Sequence, residues 1–140
     1  ELEANANLTR ELSLVGSYTL LDAETTKTGT ATAEKGKTPS QVSDRMASLW
    51  AHYDVQGGPL DGLGFGSGVR YVGASYGDNT ETLKVPSYTL YDAVVSYDWQ
   101  NTTLQLNANN LADTKYVATC DYYCWYGNRR NVVASLTYRW

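Results

Sequence analysis

Two groups of side chains in this sequence have the types and spacing that chemistry requires. Cys120 and Cys124, the only cysteines, stand four positions apart in the stretch CDYYCWYG. His52, the only histidine, lies two positions before Asp54. Paired cysteines can bind a metal ion, act as a redox couple or form a disulfide, and a histidine beside a carboxylate can ligate a metal or serve a hydrolase. The choice depends on the elements that position these residues.

The composition limits the classes of protein that this chain can form. Its 140 residues suffice for one domain, and its formal net charge of −4 argues against a nucleic-acid partner. Twelve Tyr, four Trp and twelve Gly favour strands and turns. No run approaches the roughly 18 consecutive apolar residues of a transmembrane helix. A mean hydropathy of −0.42 suits a soluble protein, but it also suits a transmembrane β-barrel, whose strands alternate apolar and polar residues.

Seven segments alternate apolar and polar residues with a period of two, which predicts strands with two different faces. In the last segment Val132, Leu136, Tyr138 and Trp140 share the apolar face, and Arg139 lies on the polar one. The polar faces carry too many charged and amide side chains for the core of a sandwich, although alternation alone leaves a soluble β-sandwich open. The predicted strands are residues 1–8, 12–20, 47–55, 63–73, 87–99, 103–109 and 131–140.

The aromatic residues and the connections favour a membrane barrel. Tyr97, Trp99, Tyr138 and Trp140 lie at strand ends on the apolar side, where barrels place their interfacial girdles. Short turns alternate with long loops, and the long loops are residues 23–41, 74–86 and 112–129. This alternation is typical of outer-membrane barrels, which place the short turns on the periplasmic side and the long loops outside. We therefore predict an all-β fold, a transmembrane antiparallel β-barrel.

The number of predicted strands indicates a larger barrel. Single-chain bacterial barrels have an even number of strands, at least eight, and a sheet with open edges cannot stand in lipid. We therefore expect residues 1–140 to form the C-terminal part of a barrel domain whose other strands lie outside this sequence.

This architecture narrows the chemistry of the two groups. His52 and Asp54 lack a nucleophile and a second ligand cluster, so we interpret them as polar residues of the lumen wall, with a surface hydrolase as the alternative. The cysteines lack further metal ligands and the βαβ context of a redox motif. On an outer loop, facing an oxidising compartment, a Cys120–Cys124 disulfide fits best. So short a closed loop contributes modestly to global stability, so its role would be to make the loop tip rigid.

Aromatic residues and two arginines surround the cysteines. The aromatic residues form either an exposed binding surface or packing contacts with neighbouring loops, and both interpretations stay open. Arg129 and Arg130 begin the last strand, where we expect them to pair with an Asp or Glu across the lumen or to complement an anionic ligand. The aromatic residues are Tyr116, Tyr122, Tyr123, Trp125 and Tyr126.

The last forty residues also carry the motif of a known family. The motif consists of Asn109-Asn110-Leu111, Asp113 and Tyr116, followed by the cysteine loop and a last strand that ends in an aromatic residue. It resembles the C-terminus of TonB-dependent outer-membrane receptors. The stretches GVRYVGASYGD and VPSYTLYDAVVSYD are similar to the hydroxamate-siderophore branch, the ferrichrome and ferrioxamine receptors. The resemblance covers essentially the whole chain.

The resemblance implies a barrel of about 22 strands filled by an N-terminal plug, of which this chain would supply the last seven strands. It implies a receptor of the bacterial outer membrane, not an enzyme, that imports ferric hydroxamate siderophores. The implied partners are the siderophore, the TonB complex through the plug, membrane lipid and lipopolysaccharide, and the rest of the receptor. There would be no resident metal or covalent cofactor, because iron enters only as the ferric siderophore. Another siderophore, haem or cobalamin is the alternative ligand.

The resemblance also assigns residues. By position, Tyr122, Tyr123 and Trp125 lie where a loop aromatic can approach the ligand. The first residue between the cysteines is Asp121, where the family is expected to have an aromatic residue. Tyr138 and Trp140 occupy the place of the C-terminal assembly signal.

Overall fold

The computed structural model describes all residues from Glu1 to Trp140. Two short 3-10 turns, Thr32–Glu34 and Gly58–Leu60, are the only helical elements, and neither is long and apolar enough to cross a membrane. The strands are β1 Leu2–Asn7, β2 Leu12–Leu20, β3 Arg45–Asp54, β4 Leu63–Val72, β5 Ser75–Tyr76, β6 Lys84–Val85, β7 Tyr88–Trp99, β8 Thr102–Asn109, β9 Val117–Asp121, β10 Tyr123–Tyr126 and β11 Asn131–Tyr138.

Seven strands form one antiparallel sheet in the order β1-β2-β3-β4-β7-β8-β11. Each strand pairs with the next long strand along the chain, as short turns and up-and-down loops require. The seven predicted strands are confirmed, with ends that differ by a few residues. No second layer packs on this sheet, because the other two sheets are two-stranded pairs in the long loops. The soluble sandwich is therefore wrong.

The two faces of the sheet differ as the period of two predicts. Cross-strand pairing places Tyr53 beside Phe65 and Phe65 beside Val95, and all three side chains are substantially exposed. The opposite face carries His52, Asp54 and Asp92 among others. An uncovered apolar face on a sheet whose other face is polar is the arrangement in which a barrel turns one face to lipid and the other to its lumen. We call these the outer and inner faces.

Aromatic side chains mark both ends of the outer face. Tyr97 and Trp99 lie near the short turns, and Tyr138 is paired with Thr102 at the same level. Tyr18 and Tyr71 lie at the opposite end, both beside Ala47 of β3. Two aromatic belts separated by aliphatic residues are what the two membrane interfaces of a barrel select.

Glycines on the inner face of β4 accommodate aromatic rings from β3. A Cβ at Gly66 would lie 2.8 Å from Nδ1 of His52 and 3.1 Å from Cζ2 of Trp50. A Cβ at Gly68 would overlap the ring of Trp50. The side chains of β3 therefore lie flat on the backbone of β4, which keeps this part of the lumen wall thin.

The connections alternate in length, as predicted. Residues 8–11, 55–62 and 100–101 join strands at one end of the sheet. The first, second and third long loops, residues 21–44, 73–87 and 110–130, lie at the other end, which we call the outer end. The sequence pattern did not predict the short strands that these loops contain. The strands β5 and β6 pair within the second long loop, and β9 and β10 pair within the third.

The most deeply buried side chains lie within the long loops and directly below them. The fully buried apolar residues are Leu90 of β7, Val85 of β6 and Cys120 of β9. The first long loop is tied to the second by hydrogen bonds, including Gln41 N to the carbonyl of Tyr76 at 2.7 Å and Thr38 N to the carboxylate of Glu81 at 2.8 Å. The loops therefore form a connected layer over the outer end of the sheet.

Candidate functional site

The third long loop carries a tight hairpin that a disulfide closes. Strands β9 and β10 pair so that Cys120 stands directly opposite Cys124, with their Cα atoms 4.0 Å apart. The two cysteines are bonded, which confirms the predicted disulfide. Tyr122 makes the turn with a φ of +58°. We call residues 117–126 the stapled hairpin.

The cysteines are not part of a metal site. No group of three or more His, Cys, Asp or Glu side chains in the chain could hold a metal ion. Since both thiols are consumed by the disulfide and both lie on one short hairpin, the pair acts as a staple that fixes the tip.

The aromatic residues around the staple fall into two groups. Tyr122 is 95% exposed, and Tyr123, Trp125 and Tyr126 are also exposed. Tyr116 packs against Tyr88 of β7, with ring centroids 4.2 Å apart. Of the two interpretations left open by the sequence, packing thus applies to Tyr116, and an exposed aromatic surface describes the hairpin itself.

The hairpin stands on a neck that Asn110 holds together. We define the neck as residues 110–116 and 127–130. The side-chain amide of Asn110 donates to the carbonyls of Thr114 at 2.8 Å and Asn128 at 3.0 Å, and its oxygen accepts from the N–H of Thr114 at 2.8 Å. Gly127 N also donates to the carbonyl of Tyr116 at 2.9 Å. Asn110 is 2% exposed and thus joins the two ends of the neck from inside.

The neck is anchored to the barrel wall through Asp92 of β7. Asp92 accepts from the backbone N–H of Asn110 at 3.0 Å. It also accepts two hydrogen bonds from Arg70 of β4, from Nε at 2.5 Å and from Nη2 at 3.0 Å. Such a two-point pair is strong and directional, because both charges are held in a fork geometry. Two inner-face residues of the sheet thereby fix the position of the hairpin.

A second ion pair closes the neck on its exposed side. Arg129 binds both carboxylate oxygens of Asp113, and the N–H of Arg130 donates to the same carboxylate at 3.0 Å. The bond from Arg129, followed by that from Arg130, holds the pKa of Asp113 well below its usual range. The hydrogen bond to Asp113 raises the pKa of Arg129 in turn.

The predicted pairing across the lumen is therefore wrong for Arg129. Arg129 finds its carboxylate sixteen positions back in the same loop, and the guanidinium of Arg130 donates to the carbonyl of Leu111 at 3.4 Å. The turn at Asn110 and Asp113, both with positive φ, brings the chain back to this point, and alternation patterns do not contain that information.

The hairpin also packs against the second long loop at Gly77. A Cβ at Gly77 would lie 2.6 Å from Cβ of Cys120 and 2.8 Å from Cδ2 of Leu83. Asp78 fixes the adjoining turn by accepting from Thr82 and from Leu83 N at 2.7 Å. Hydrogen bonds from Thr80 and then Thr82 lower the pKa of Asp78 strongly. The staple therefore rests on a rigid neighbour.

His52 and Asp54 do meet, but they do not form a catalytic arrangement with a hydroxyl group. Nε2 of His52 lies 3.0 Å from Oδ1 of Asp54, and no hydroxyl group is hydrogen bonded to the imidazole. The pair lies on the inner face near the short turns, away from the stapled hairpin. This geometry lacks the hydroxyl–imidazole contact that a hydrolase needs.

Sequence reasoning singled out the cysteines and the hairpin aromatics, but it missed the residues that position them. Asn110 appeared only as part of a motif, and Arg70, Asp92 and Gly77 were not singled out for the site. A polar residue in a strand facing a lumen gives no signal of its partner. The left-handed turn residues Asn110 and Asp113 were the available clue, since Asn and Asp tolerate positive φ.

The fold and the site define a membrane barrel wall with a stapled aromatic loop at its outer rim. A family model described as TonB dependent receptor-like, beta-barrel matches residues 1–111. The chain belongs to this family, whose members are receptors of the bacterial outer membrane and not enzymes. The hydrolase alternative is therefore wrong.

Individual relatives cover nearly the whole chain. It is 49% identical to the ferrichrome outer membrane transporter/phage receptor of Escherichia coli over 99% of its length and 19% of the relative's. It is 41% identical to the ferrioxamine B receptor of Salmonella typhimurium over 99% of its length and 20% of the relative's. The siderophore receptor PiuA from Acinetobacter baumannii superposes with a TM-score of 0.85 at 32% identity, covering 97% of this chain and 20% of that one. The chain thus spans about one fifth of these relatives' length.

Proposed function

We propose that this chain is the C-terminal part of the barrel of a receptor that binds and imports ferric hydroxamate siderophores. The observation that carries the proposal is the stapled aromatic hairpin at the outer rim, in a chain whose 49% and 41% identical relatives are named for ferrichrome and ferrioxamine. Both ligands are hydroxamates. The names of these relatives support the ligand class by similarity, and titration of the receptor tests it directly.

The ligand contacts would come from Tyr122, Tyr123 and Trp125. Ferric hydroxamates are bulky, with a polar centre and a mixed surface, and rigid aromatic side chains cover such a surface at low cost in conformational entropy. The disulfide and the docking at Gly77 hold these residues in place before binding. Preorganisation of this kind raises affinity.

The direct test is titration of the complete receptor in outer membranes with ferrioxamine, ferrichrome, haem and cobalamin. We expect tight binding of a ferric hydroxamate. Tyr122→Ala and Trp125→Ala should weaken it about tenfold or more, as loss of an aromatic anchor does. Tyr71→Ala, which removes an aromatic residue on the outer face at the same end, should not. Preference for haem or cobalamin would refute the proposed ligand class.

Import would require TonB, acting through a plug domain N-terminal to these strands, and the proton-motive force. Iron would be cargo only, carried as the ferric siderophore. An uncoupler should therefore abolish uptake of the radiolabelled siderophore and leave surface binding intact. Uptake that continues without the proton-motive force would exclude this mode of transport.

Tyr138 and Trp140 are proposed to act as the C-terminal assembly signal. Tyr138 ends β11 on its apolar face, and Trp140 lies two positions further along the chain. Both are amphipathic aromatic residues suited to the membrane interface. Removal of Trp140 should lower the amount of receptor inserted in the outer membrane without changing the affinity of the receptor that is inserted. Trp99→Ala, at the same end of the sheet, is the matched control.

A further inference from the structure

A polar cavity of about 280 Å³ lies under the neck of the third long loop. We call it the rim cavity. Its walls combine the inner face of four strands, β4, β7, β8 and β11, with the neck itself. The residues used below are Arg70, Asn109, Asn131, Tyr116 and Arg129.

Both arginines of the rim cavity are bound to a carboxylate in the same way. Arg70 uses Nε and Nη2 to hold Asp92, and Arg129 uses Nε and Nη2 to hold Asp113. In each guanidinium, Nη1 makes no hydrogen bond within the chain. An arginine presents five donors in a rigid fork, so each of these residues retains donors for another acceptor.

The carboxylates that bind the arginines do not line the rim cavity. Neither Asp92 nor Asp113 contributes to its wall, and no other acidic residue does. A group in the cavity would therefore meet the guanidinium side of each ion pair. The pairs are neutral as units, so an occupant need not carry two negative charges to fit.

Amide side chains add to the excess of donors. Asn109 of β8 stands directly opposite Asn131 of β11, and the side chains of both make no hydrogen bond within the chain. Tyr116 adds a phenol whose hydroxyl makes no hydrogen bond within the chain. A cavity with two guanidinium donors, two free amides and no carboxylate suits an oxygen acceptor, best a carboxylate, and it suits an ammonium group poorly.

We propose that the rim cavity is a subsite for an acceptor-bearing arm of the ligand, a carboxylate or carbonyl group, and that it discriminates against a cationic arm. This inference rests on the proposed binding of ferric hydroxamates. The cavity is smaller than the sites of about 300–1,000 Å³ that enclose a whole drug-sized ligand, so it receives an arm and not the iron centre. It lies under the neck, where a ligand held by the stapled hairpin would reach the lumen wall.

The test uses three ferric ligands that differ only at one end. Ferrioxamine B ends in an ammonium group, its N-acetyl derivative ends in a neutral amide, and its N-succinyl derivative ends in a carboxylate. Equilibrium affinities are measured on the complete receptor in de-energised outer membranes. We expect the order succinyl, acetyl, free amine, with the first and last separated by about tenfold, the size of one charge-assisted hydrogen bond.

Two variants test the cavity from independent sides. Arg129→Gln removes a guanidinium, and Asn109→Ala removes an amide without touching either ion pair. Each should reduce the spread between the succinyl and free-amine ligands to about twofold or less. Arg45→Gln, which removes an exposed arginine paired only with Asp44, is the matched control and should retain the full spread.

The outcomes separate the two proposals. Equal affinity for the three ligands in the unsubstituted receptor overturns the subsite and leaves hydroxamate binding intact. A spread that persists in both Arg129→Gln and Asn109→Ala also overturns it, because the discrimination would then arise elsewhere. If the receptor binds none of the three ligands and does not bind ferrichrome either, the proposed function is refuted and the subsite with it.

Discussion

The neck of the third long loop should open when Asn110 loses its side-chain amide. In Asn110→Ala, three hydrogen bonds disappear, two to carbonyls and one from the N–H of Thr114. Each contributes about 1 kcal/mol net. The φ of +53° at this position adds about 1 kcal/mol for any residue that does not tolerate the left-handed region. The total of about 4 kcal/mol corresponds to about a thousandfold in the local opening equilibrium.

Hydrogen exchange of the complete receptor measures this opening directly. The amide of Gly127, which bonds the carbonyl of Tyr116 across the neck, should exchange about a thousandfold faster in Asn110→Ala. Asn110→Gly also loses the three hydrogen bonds, but glycine adopts the positive φ without strain, so exchange should be only about a hundredfold faster. The difference between the two variants isolates the contribution of the backbone conformation. Asn101→Ala, in a short turn with no side-chain hydrogen bond, should change nothing. Acceleration of less than about tenfold in Asn110→Ala would refute the assignment of Asn110 as the residue that joins the neck.

Two further predictions concern the contacts that hold the stapled hairpin. Gly77→Ala should push the hairpin off the second long loop, so that a small thiol reduces the disulfide of Cys120 faster, whereas Gly29→Ala, which meets no atom within 4 Å, should not; equal reduction rates would contradict the packing. The guanidinium of Arg129 lowers the pKa of Asp113 in the folded protein. The stability that this carboxylate gives the neck is therefore complete above its unfolded pKa of about 4, and it is lost as the pH falls from there toward the lowered folded pKa. The backbone amide of Arg130 donates to this carboxylate. Its protection from hydrogen exchange, corrected for the intrinsic exchange rate, should thus be equal at pH 7 and pH 5. A decline over that range would contradict the pairing.

The seven strands and their two faces were predictable because each rests on local sequence. The side chains of a strand alternate between its two faces, so the face of a residue such as Phe65 can be predicted from the residues two positions away. The alternation also excludes a slip of one residue between paired strands, since such a slip would move every apolar side chain into the lumen. The disulfide was predictable for a different reason: on an outer loop that faces an oxidising compartment, two cysteines without further metal ligands fit a disulfide best.

The residues that position the site were not predictable in this way. Arg70 and Asp92 lie 22 positions apart and meet only because β4 and β7 are neighbours in register. Gly77 matters because the third long loop rests on the second, a contact between segments more than forty positions apart in the chain. The strands β9 and β10 are too short for periodicity to identify, and they form because the neck and the neighbouring loop hold them.

Thus the sequence by itself determined a one-layer antiparallel sheet with a lipid face and a polar face, and it marked the loop with the staple. The alternation has a period of two residues, so each strand by itself shows which of its side chains face lipid and which face the lumen. Only the tertiary structure decided where that loop stands, which aromatic residues it exposes, and which donors face the lumen beneath it. Those depend on Asn110, Asp92 and Arg129 finding partners across turns and strands, and the partner of a polar side chain is set by chain geometry that no local pattern encodes.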